Sequence, residues 1–242
     1  MGGERMLRCA VIIPALNPPE SLVEYVRTLL ARGVARVIVV NDGSDAAKAE
    51  VFRRLGTLDR CTVLTHPVNR GKGRALKTAF AYVLGDAADW AGVVTADADG
   101  QHDPDDVCQV ASALSQWEDA LILGVRDFRQ SHVPWRSRFG NRLTSWLIRW
   151  LFGTEIDDTQ TGLRGIPKQH LQWMSELKGE RFEYEMNMLL SAIRKRIPIR
   201  QVRIRTLYFQ RNVGSHYRSV ADSLRIFARI VSGLVTSLIR SD

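Results

Sequence analysis

Short continuous apolar runs alternate with helical patterns along the first 125 residues of this chain. The runs end at proline or at polar residues, and they occupy residues 9–13, 36–40, 61–64, 92–96 and 120–125. Between them, apolar residues recur at helical spacing over residues 20–32, 46–55 and 73–84, and from residue 104 onward. Strands separated by helices form βαβ units, which build a mostly parallel sheet with helices on both faces. The pattern therefore predicts an α/β fold.

After residue 126 the alternation becomes less regular. Helices are predicted over residues 135–152, 182–194 and 219–239, a loop over 160–167 and a strand over 197–207. Of the 242 residues, 45% are hydrophobic and 25% are charged, which excludes a disordered or low-complexity chain. No repeat and no linker-like stretch divides the sequence. We predict one domain over residues 1–242, with halves at 1–125 and 126–218 and a C-terminal amphipathic helix at 219–242.

The two halves of the chain differ strongly in charge. Residues 1–125 carry 13 basic and 16 acidic side chains, a net charge of −3, whereas residues 126–242 carry 21 and 10, a net charge of +11. A basic surface of this kind favours an anionic partner, such as nucleic acid, a membrane surface or a phosphorylated substrate.

Cysteine usage and hydropathy indicate the cellular compartment that we expect for this protein. Cys9, Cys61 and Cys108 are widely spaced and odd in number, so we expect free thiols in a reducing cytosol and neither a disulfide framework nor a CxxC metal site. The N-terminus does not have the pattern of a signal peptide. The longest apolar stretch, residues 226–239, is interrupted by Arg229 and is too short to span a bilayer.

Polar side chains follow each of the first four predicted strands. The strand ends read Pro14-Ala-Leu-Asn17, Asn41-Asp-Gly-Ser44, His66-Pro-Val-Asn-Arg70 and Thr95-Ala-Asp-Ala-Asp-Gly-Gln101. Ligands of open α/β sheets bind at the carboxyl ends of the strands. We therefore expect these segments to converge on one edge of the sheet and to form a ligand site there.

Two of these strand ends suggest specific chemistry. Asp97 and Asp99, followed by Gln101, could hold one hard divalent cation, because Mg²⁺ binds a few carboxylate oxygens and completes its shell with phosphate and water. Glycines flank Lys72 at the start of a predicted helix, where free N–H groups favour a phosphate. Each pattern also fits an ordinary solvated glycine turn. Neither a Walker A loop nor a full GxGxxG motif is present, since Leu76 takes the third glycine position.

In this order, the motifs VIIPALN, VVNDGS, NRGKGRALKTAF and TADADGQHDP resemble family 2 glycosyltransferases with the GT-A fold. The resemblance covers nearly the whole chain. It is greatest to the branch that contains dolichyl-phosphate mannose synthase and bacterial polyprenyl-phosphate glycosyltransferases. It implies that Asp97, Asp99 and Gln101 hold Mg²⁺ or Mn²⁺ on the diphosphate of a nucleotide-sugar. The residues implied to bind the nucleotide-sugar are Pro14, Ala15, Asn17, Asp42, Lys72, Asp97, Ala98 and Asp99.

One departure from the family pattern affects base recognition. Relatives usually read PAYNE where this chain reads Pro14-Ala-Leu-Asn-Pro18, so the aromatic residue and the glutamate are both absent. Uridine and guanosine both remain open as the base of the donor.

For the acceptor half, position and resemblance together assign a second group of residues. The catalytic set is Asp97, Asp99, Arg126, Gln160, Arg164 and Glu185, and the set facing an acceptor phosphate is Arg126, Arg138, Arg203, Arg205 and His216. Each has a plainer interpretation, such as a surface ion pair, a glycine turn, an acidic helix start, a basic strand face or a structural histidine. On helix 135–152, Leu143, Trp146, Leu147, Trp150 and Leu151 share a stripe that fits either a membrane interface or the core. The same two alternatives apply to the C-terminal helix.

Taken together, the resemblance implies an inverting hexosyltransferase that uses a metal and a single displacement. It would move glucose or mannose from a UDP- or GDP-sugar to a polyprenyl phosphate, such as undecaprenyl or dolichyl phosphate. Its place would be the cytoplasmic face of the cell membrane, as a peripheral protein that could also bind an integral-membrane partner. A hydroxyl acceptor is the main alternative, and it requires a base such as Glu183 or Glu185. A nucleic-acid-binding module is disfavoured, because no RRM, KH or helix-turn-helix signature is present.

Overall fold

The computed structural model describes residues 7–126 and 135–205, with backbone alone for residues 135–139. Its strands are β1 (Leu7–Ala15), β2 (Val34–Asp42), β3 (Cys61–His66), β4 (Gly92–Thr95), β5 (Leu121–Arg126), β6 (Arg164–Pro167) and β7 (Ile199–Ile204). Its helices are α1 (Leu22–Ala31), α2 (Ala49–Gly56), α3 (Lys72–Gly85), α4 (Pro104–Gln116), α5 (Trp135–Phe152), α6 (Lys168–Ser175) and α7 (Glu183–Arg194). A short 3₁₀ turn at Ala46–Lys48 precedes α2.

All seven strands form one sheet in the order β3-β2-β1-β4-β6-β5-β7. Strand β6 runs antiparallel to β4 and β5, and the other neighbouring pairs are parallel. The chain builds outward from β1 to β3 and then returns to place β4 on the other side of β1. This reversal of strand order is the switch point at which open α/β sheets bind ligands.

The two faces of the sheet carry separate hydrophobic cores. Along β1, Ala10 and Ile12 pack with α3, α6 and α7, whereas Val11 and Ile13 pack with α1, α2 and α4. This alternation follows from the two-residue period of a strand. Residues 9–13 are fully buried, as expected for a central parallel strand covered on both faces.

The predicted α/β fold with a mostly parallel, helix-covered sheet is confirmed. The first five strands and their helices lie where the pattern puts them, with ends shifted by a few residues. The prediction of a loop over residues 160–167 is wrong in its last part, because Arg164–Pro167 form β6. These four residues include a glycine and a proline, and they become a strand by inserting between β4 and β5 rather than by local propensity. Helix α6 was not predicted, and the segment predicted over 219–239 lies outside the described residues.

The helix predicted over residues 135–152 forms as α5, and the two tryptophans of its stripe face outward. Asn141, Thr144 and Ile148 make up its buried side. On the opposite side Trp146 is 58% and Trp150 is 70% exposed, and their rings stack with centroids 6.2 Å apart. Leu151, at the end of the same stripe, packs against the core, so only part of the stripe faces outward.

The three cysteines are free, with Cys9 buried and the other two partly buried. Within the described ranges, the helices are too short or too polar to cross a membrane.

Candidate active site

The polar strand ends meet at one edge of the sheet, next to the switch point between β1 and β4. Strands β1 to β5 all deliver their carboxyl ends to this edge, while the antiparallel β6 brings its first residue there. Thr95 at the end of β4 therefore pairs with Arg164 at the start of β6. As a result, the loop that precedes β6 lies beside the residues that follow β4.

Lys72 stands at the centre of this edge and bridges two carboxylates. Its ammonium nitrogen lies 2.7 Å from Asp97 Oδ1 and 2.8 Å from Glu185 Oε2, and only 14% of its side chain is exposed. Burial alone would lower the pKa of Lys72, but the two carboxylates outweigh it and the pKa is raised. Lys72 is thus a buried cation that joins the end of β4 to the start of α7.

The start of α3 is held tightly against the loop before α7, and this fixes the position of Lys72. A Cβ at Gly73 would lie 2.6 Å from Tyr184 Cβ, so only glycine permits the observed approach. Arg74 N donates to the carbonyl of Glu180, and the Glu180 carboxylate pairs with Arg74 and Lys77. The glycines that suggested a phosphate loop therefore also serve as packing positions.

Asp97 and Asp99 occupy different electrostatic environments. For Asp97, the loss of solvent would raise the pKa, but Lys72 and then His102, 3.3 Å away, lower it well below the usual range. The pKa of Asp99 is raised by burial and by the charge of Asp97, and its Oδ1 accepts a hydrogen bond from Gln101 N. Negative charge thus accumulates at this strand end.

These residues fit a metal that binds together with a diphosphate. Within the parts of the chain that the structure describes, no group of three or more His, Cys, Asp or Glu side chains could enclose a metal ion. Two carboxylates after one strand are instead typical of Mg²⁺ sites completed by phosphate oxygens and water. The loop before β6 approaches this carboxylate closely, since a Cβ at Gly162 would lie 2.6 Å from Asp97 Oδ2.

Asp42, predicted to contact the nucleoside, is 4% exposed and holds the loop that leads to Lys72. Its Oδ1 lies 2.7 Å from His66 Nδ1 and accepts from Arg70 N, and its Oδ2 accepts from Gly71 N. The other ring nitrogen of His66 lies 2.9 Å from Thr78 Oγ1. Asp42 therefore supports the site indirectly, because it fixes the backbone just before α3.

The ends of β1 and β2 are tied together by a reciprocal pair of hydrogen bonds. Asn17 Nδ2 donates to the Asp45 carboxylate, while Asp45 N donates to Asn17 Oδ1. Asn17 adopts a positive φ of 49°, which asparagine tolerates better than most residues. Pro14 is partly exposed and Ala15 is buried, so the strand end presents backbone and proline to the edge.

At the end of β5, on the side of this edge away from the switch point, Arg126 forms a bidentate ion pair. Its Nε and a terminal nitrogen donate to the two carboxylate oxygens of Asp158, at 2.6 and 3.1 Å. Asp158 is fully buried and also accepts from Gln160 N. Arg126 and Gln160 are thereby brought together, and the Arg126 side chain keeps 23% of its surface exposed.

Arg164, predicted to contact a phosphate, lies beneath the site with 1% of its surface exposed. Its guanidinium donates to the backbone carbonyls of Thr161 and Glu185, and burial lowers its pKa. It therefore fixes the loop before β6 to the first turn of α7.

The remaining predicted acceptor-side arginines do not join this cluster. Arg203 is exposed on the edge strand β7, and Arg205 pairs with Asp105 at the start of α4. The side chain of Arg138 and all of His216 lie outside the described residues, so their predicted roles stay predictions.

Two features of the site carry no clear signal in the sequence. The Tyr25 hydroxyl, on α1, is buried without a hydrogen-bond partner among the described residues. Its pKa is raised by burial and by Asp97, Asp99 and Asp103. Glu185 Oε1 is likewise buried and unpartnered in the described part of the chain, beside the Lys72 bridge. The position of Tyr25 could not be predicted, because Tyr25 has the spacing of one more residue on an amphipathic helix, whereas Glu185 was already in the predicted catalytic set.

The family model and two curated proteins that match this chain are described as glycosyltransferases or sugar transferases. A family model described as Glycosyl transferase family 2 matches residues 10–174. The chain is 29% identical to UDP-N-acetylglucosamine–dolichyl-phosphate N-acetylglucosaminyltransferase of Methanococcus voltae, over 91% of this chain and 94% of that protein. It is 24% identical to undecaprenyl-phosphate 4-deoxy-4-formamido-L-arabinose transferase of Edwardsiella ictaluri (strain 93-146), over 96% of this chain and 69% of that protein.

The solved structures give the fold. The chain superimposes with a TM-score of 0.65 on glucosyl-3-phosphoglycerate synthase from Mycobacterium tuberculosis in complex with Mn²⁺, UDP and glucosyl-3-phosphoglycerate. The sequence identity is 18%, and the match covers 97% of this chain and 80% of that one. At this identity the similarity establishes the architecture, and it confirms the predicted GT-A fold.

Replacing Arg164 separates a structural role from direct phosphate contact. Arg164→Met should lower the free energy of unfolding by about 2–5 kcal/mol, because two buried carbonyls lose their donor. Arg203→Met, which removes an exposed arginine, should change it by less than about 0.5 kcal/mol. Urea denaturation measures both, and equal stability of the two variants would contradict the structural role.

Proposed function

Because the chain belongs to glycosyl transferase family 2, we propose that it transfers a hexose from a nucleotide-sugar to a polyprenyl phosphate. The observation that carries the proposal is the Lys72 bridge, which joins the carboxylate at the switch point to the acidic start of α7. It places one buried cation between the proposed donor and acceptor sides. The Methanococcus voltae and Edwardsiella ictaluri relatives, named for transfer to dolichyl and undecaprenyl phosphate, support the acceptor class.

The proposed donor site is the crevice between the ends of β1 and β4. Pro14, Ala15 and Asn17 would line the nucleoside side, with glucose or mannose as the sugar and UDP or GDP as the carrier. Ala98 would lie between the two aspartates at the diphosphate. Asp42 would act indirectly, through the loop that it holds.

A bound Mg²⁺ or Mn²⁺ would neutralise the diphosphate and stabilise it as it leaves. Asp97, Asp99 and Gln101 would hold that ion. The Mycobacterium tuberculosis structure named above contains Mn²⁺ and UDP, which supports a metal–diphosphate site in this fold.

The proposed reaction is a single displacement with inversion. An oxygen of the acceptor phosphate attacks the anomeric carbon and forms a new C–O bond, while the bond from that carbon to the nucleoside diphosphate breaks. The acceptor oxygen is already anionic, so no base has to remove a proton from it. Positioning and charge stabilisation then account for most of the catalysis. Arg126 and Gln160 would orient the acceptor phosphate, and Lys72 would lie next to the departing diphosphate.

A hydroxyl acceptor is a second candidate, and Glu185 Oε1, which has no hydrogen-bond partner among the described residues, favours it. An alcohol must lose its proton as it attacks, and this buried carboxylate oxygen could receive that proton. With a phosphate acceptor, the same oxygen would instead accept a hydrogen bond from a sugar hydroxyl.

Helix α5 supplies a proposed membrane contact. Trp146 and Trp150 are exposed and stacked, and Arg142 and Arg149 are exposed on the same helix. Aromatic rings at headgroup depth and arginines near anionic lipid are typical of an interfacial helix. We propose that the protein binds the cytoplasmic face of the membrane, where a lipid-linked acceptor could reach the site. The protein could also bind an integral-membrane partner there.

Asp99→Asn tests the donor site through ligand-linked stability. Saturating UDP- or GDP-hexose with Mn²⁺ should raise the wild-type Tm by about 5–10 °C, because a ligand at 100 times its Kd adds about 2.7 kcal/mol. The gain should disappear in Asp99→Asn and persist in Asp105→Asn, which removes a nearby surface carboxylate. A thermal-shift panel of both nucleotides also identifies the base. An undiminished gain in Asp99→Asn would contradict the proposed site.

Glu185→Gln distinguishes the two acceptors. With a phosphate acceptor, turnover should fall by less than about tenfold, since no proton is transferred. A loss of about 10²–10⁴-fold would indicate a general base and therefore a hydroxyl acceptor. Steady-state transfer assays with polyprenyl phosphate and polyprenol measure the difference, and Glu183→Gln tests the neighbouring carboxylate in the same way.

Removing the stacked tryptophans tests the membrane contact. The double variant Trp146→Ala/Trp150→Ala should bind anionic phospholipid vesicles at least about tenfold more weakly, because it loses most of the exposed apolar surface of α5. Trp117→Ala, at a tryptophan that is 38% exposed, is the matched control and should bind like the wild type. Co-sedimentation measures binding, and unchanged binding of the double variant would rule out α5 as the contact.

A further inference from the structure

We propose that Lys72 serves as an internal counter-cation, which occupies Asp97 in the free enzyme and gives it up when metal and donor bind together. The inference rests on the proposed metal–diphosphate site and adds a specific exchange to it. The ammonium group would leave Asp97, stay on Glu185 and move onto the donor diphosphate.

The geometry of the bridge supports this exchange. Lys72 Nζ contacts Asp97 Oδ1 and Glu185 Oε2 at nearly equal distances, 2.7 and 2.8 Å. The second oxygen of Asp97 faces His102 Nε2 at 3.3 Å, so both of its oxygens already have partners. A divalent ion that uses Asp97 must therefore compete with a group that is present in the same protein.

Charge explains why the donor favours the exchange. An ammonium and a divalent cation on one carboxylate repel each other, and this repulsion weakens metal binding when no nucleotide is present. A diphosphate supplies new anionic oxygens, which can accept the ammonium and share the metal. Metal and nucleotide should therefore favour each other's binding, and each should bind weakly alone.

The surroundings of Lys72 confine the exchange to its side chain. Its backbone follows Gly71, whose N–H is fixed by the buried Asp42. Its flexible four-carbon stem can turn about Glu185, with the Phe182 ring 5.9 Å from Nζ on the same side as α7. Glu185 would act as the pivot, so the cation stays paired throughout.

Metal binding to the nucleotide-free protein tests the proposal directly. Lys72→Met should bind Mn²⁺ alone about tenfold more tightly than the wild type, and it should bind UDP more weakly when Mn²⁺ is saturating. Lys72→Arg keeps the charge, and Lys77→Met removes a cation from the same helix that pairs with Glu180 instead. Both should bind Mn²⁺ alone like the wild type, as measured by titration calorimetry.

The outcomes separate this proposal from the proposed function. If Lys72→Met binds Mn²⁺ alone no more tightly than the wild type, while UDP with Mn²⁺ still binds, the exchange is wrong and the donor site stands. If no variant binds Mn²⁺ even with UDP, the metal site is wrong and the exchange falls with it.

Amine labelling of the wild-type protein gives the same test without a substitution. Saturating Mn²⁺ alone should increase the labelling of Lys72 relative to Lys77, as detected by mass spectrometry, and UDP with Mn²⁺ should restore protection. Unchanged labelling of Lys72 with saturating Mn²⁺ would overturn the proposal, even if Lys72→Met failed to fold.

Discussion

A buried ammonium between two carboxylates connects the two halves of this site. Asp97 comes from the end of β4 in the first half, Glu185 from the first turn of α7 in the second, and Lys72 binds both. Removing one member of such a group leaves an uncompensated charge away from water, so the three side chains stabilise one another's positions. Three neighbouring residues hold these side chains in position. Asp42 fixes the loop before Lys72, Gly73 permits close packing on Tyr184, and Arg164 holds the first turn of α7.

The topology explains how distant parts of the sequence reach the same place. Parallel strands bring four polar segments of the first half to one edge, as their carboxyl ends require. The single antiparallel strand, β6, brings the loop of residues 157–163 to that edge from the second half. Arg126 and Asp158 then form a bidentate pair on the side opposite the switch point. A family 2 glycosyltransferase needs a donor and an acceptor to meet at one carbon atom, and in the proposed reaction adjoining parts of this edge would hold the two.

The sequence predicted the part of the site that depends on local pattern. Strand ends such as Asp97-x-Asp99 could be placed at one edge, because apolar runs and helical spacing determine a parallel sheet. Roles that depend on side-chain direction could not be predicted. Asp42 and Arg164 appear as polar residues near the site, but burial turns both toward backbone partners. Strand β6 was missed because its four residues become a strand only between two others.

The central claim is that the carboxylates after β4 bind a nucleotide diphosphate through a metal ion. The most direct measurement is an anomalous difference map from crystals of the protein grown with Mn²⁺ and UDP. One Mn²⁺ peak is expected at the ends of β1 and β4, in contact with the Asp99 carboxylate and with both phosphates of UDP. A nucleotide bound elsewhere, or a Mn²⁺ peak that touches neither Asp97 nor Asp99, would contradict it.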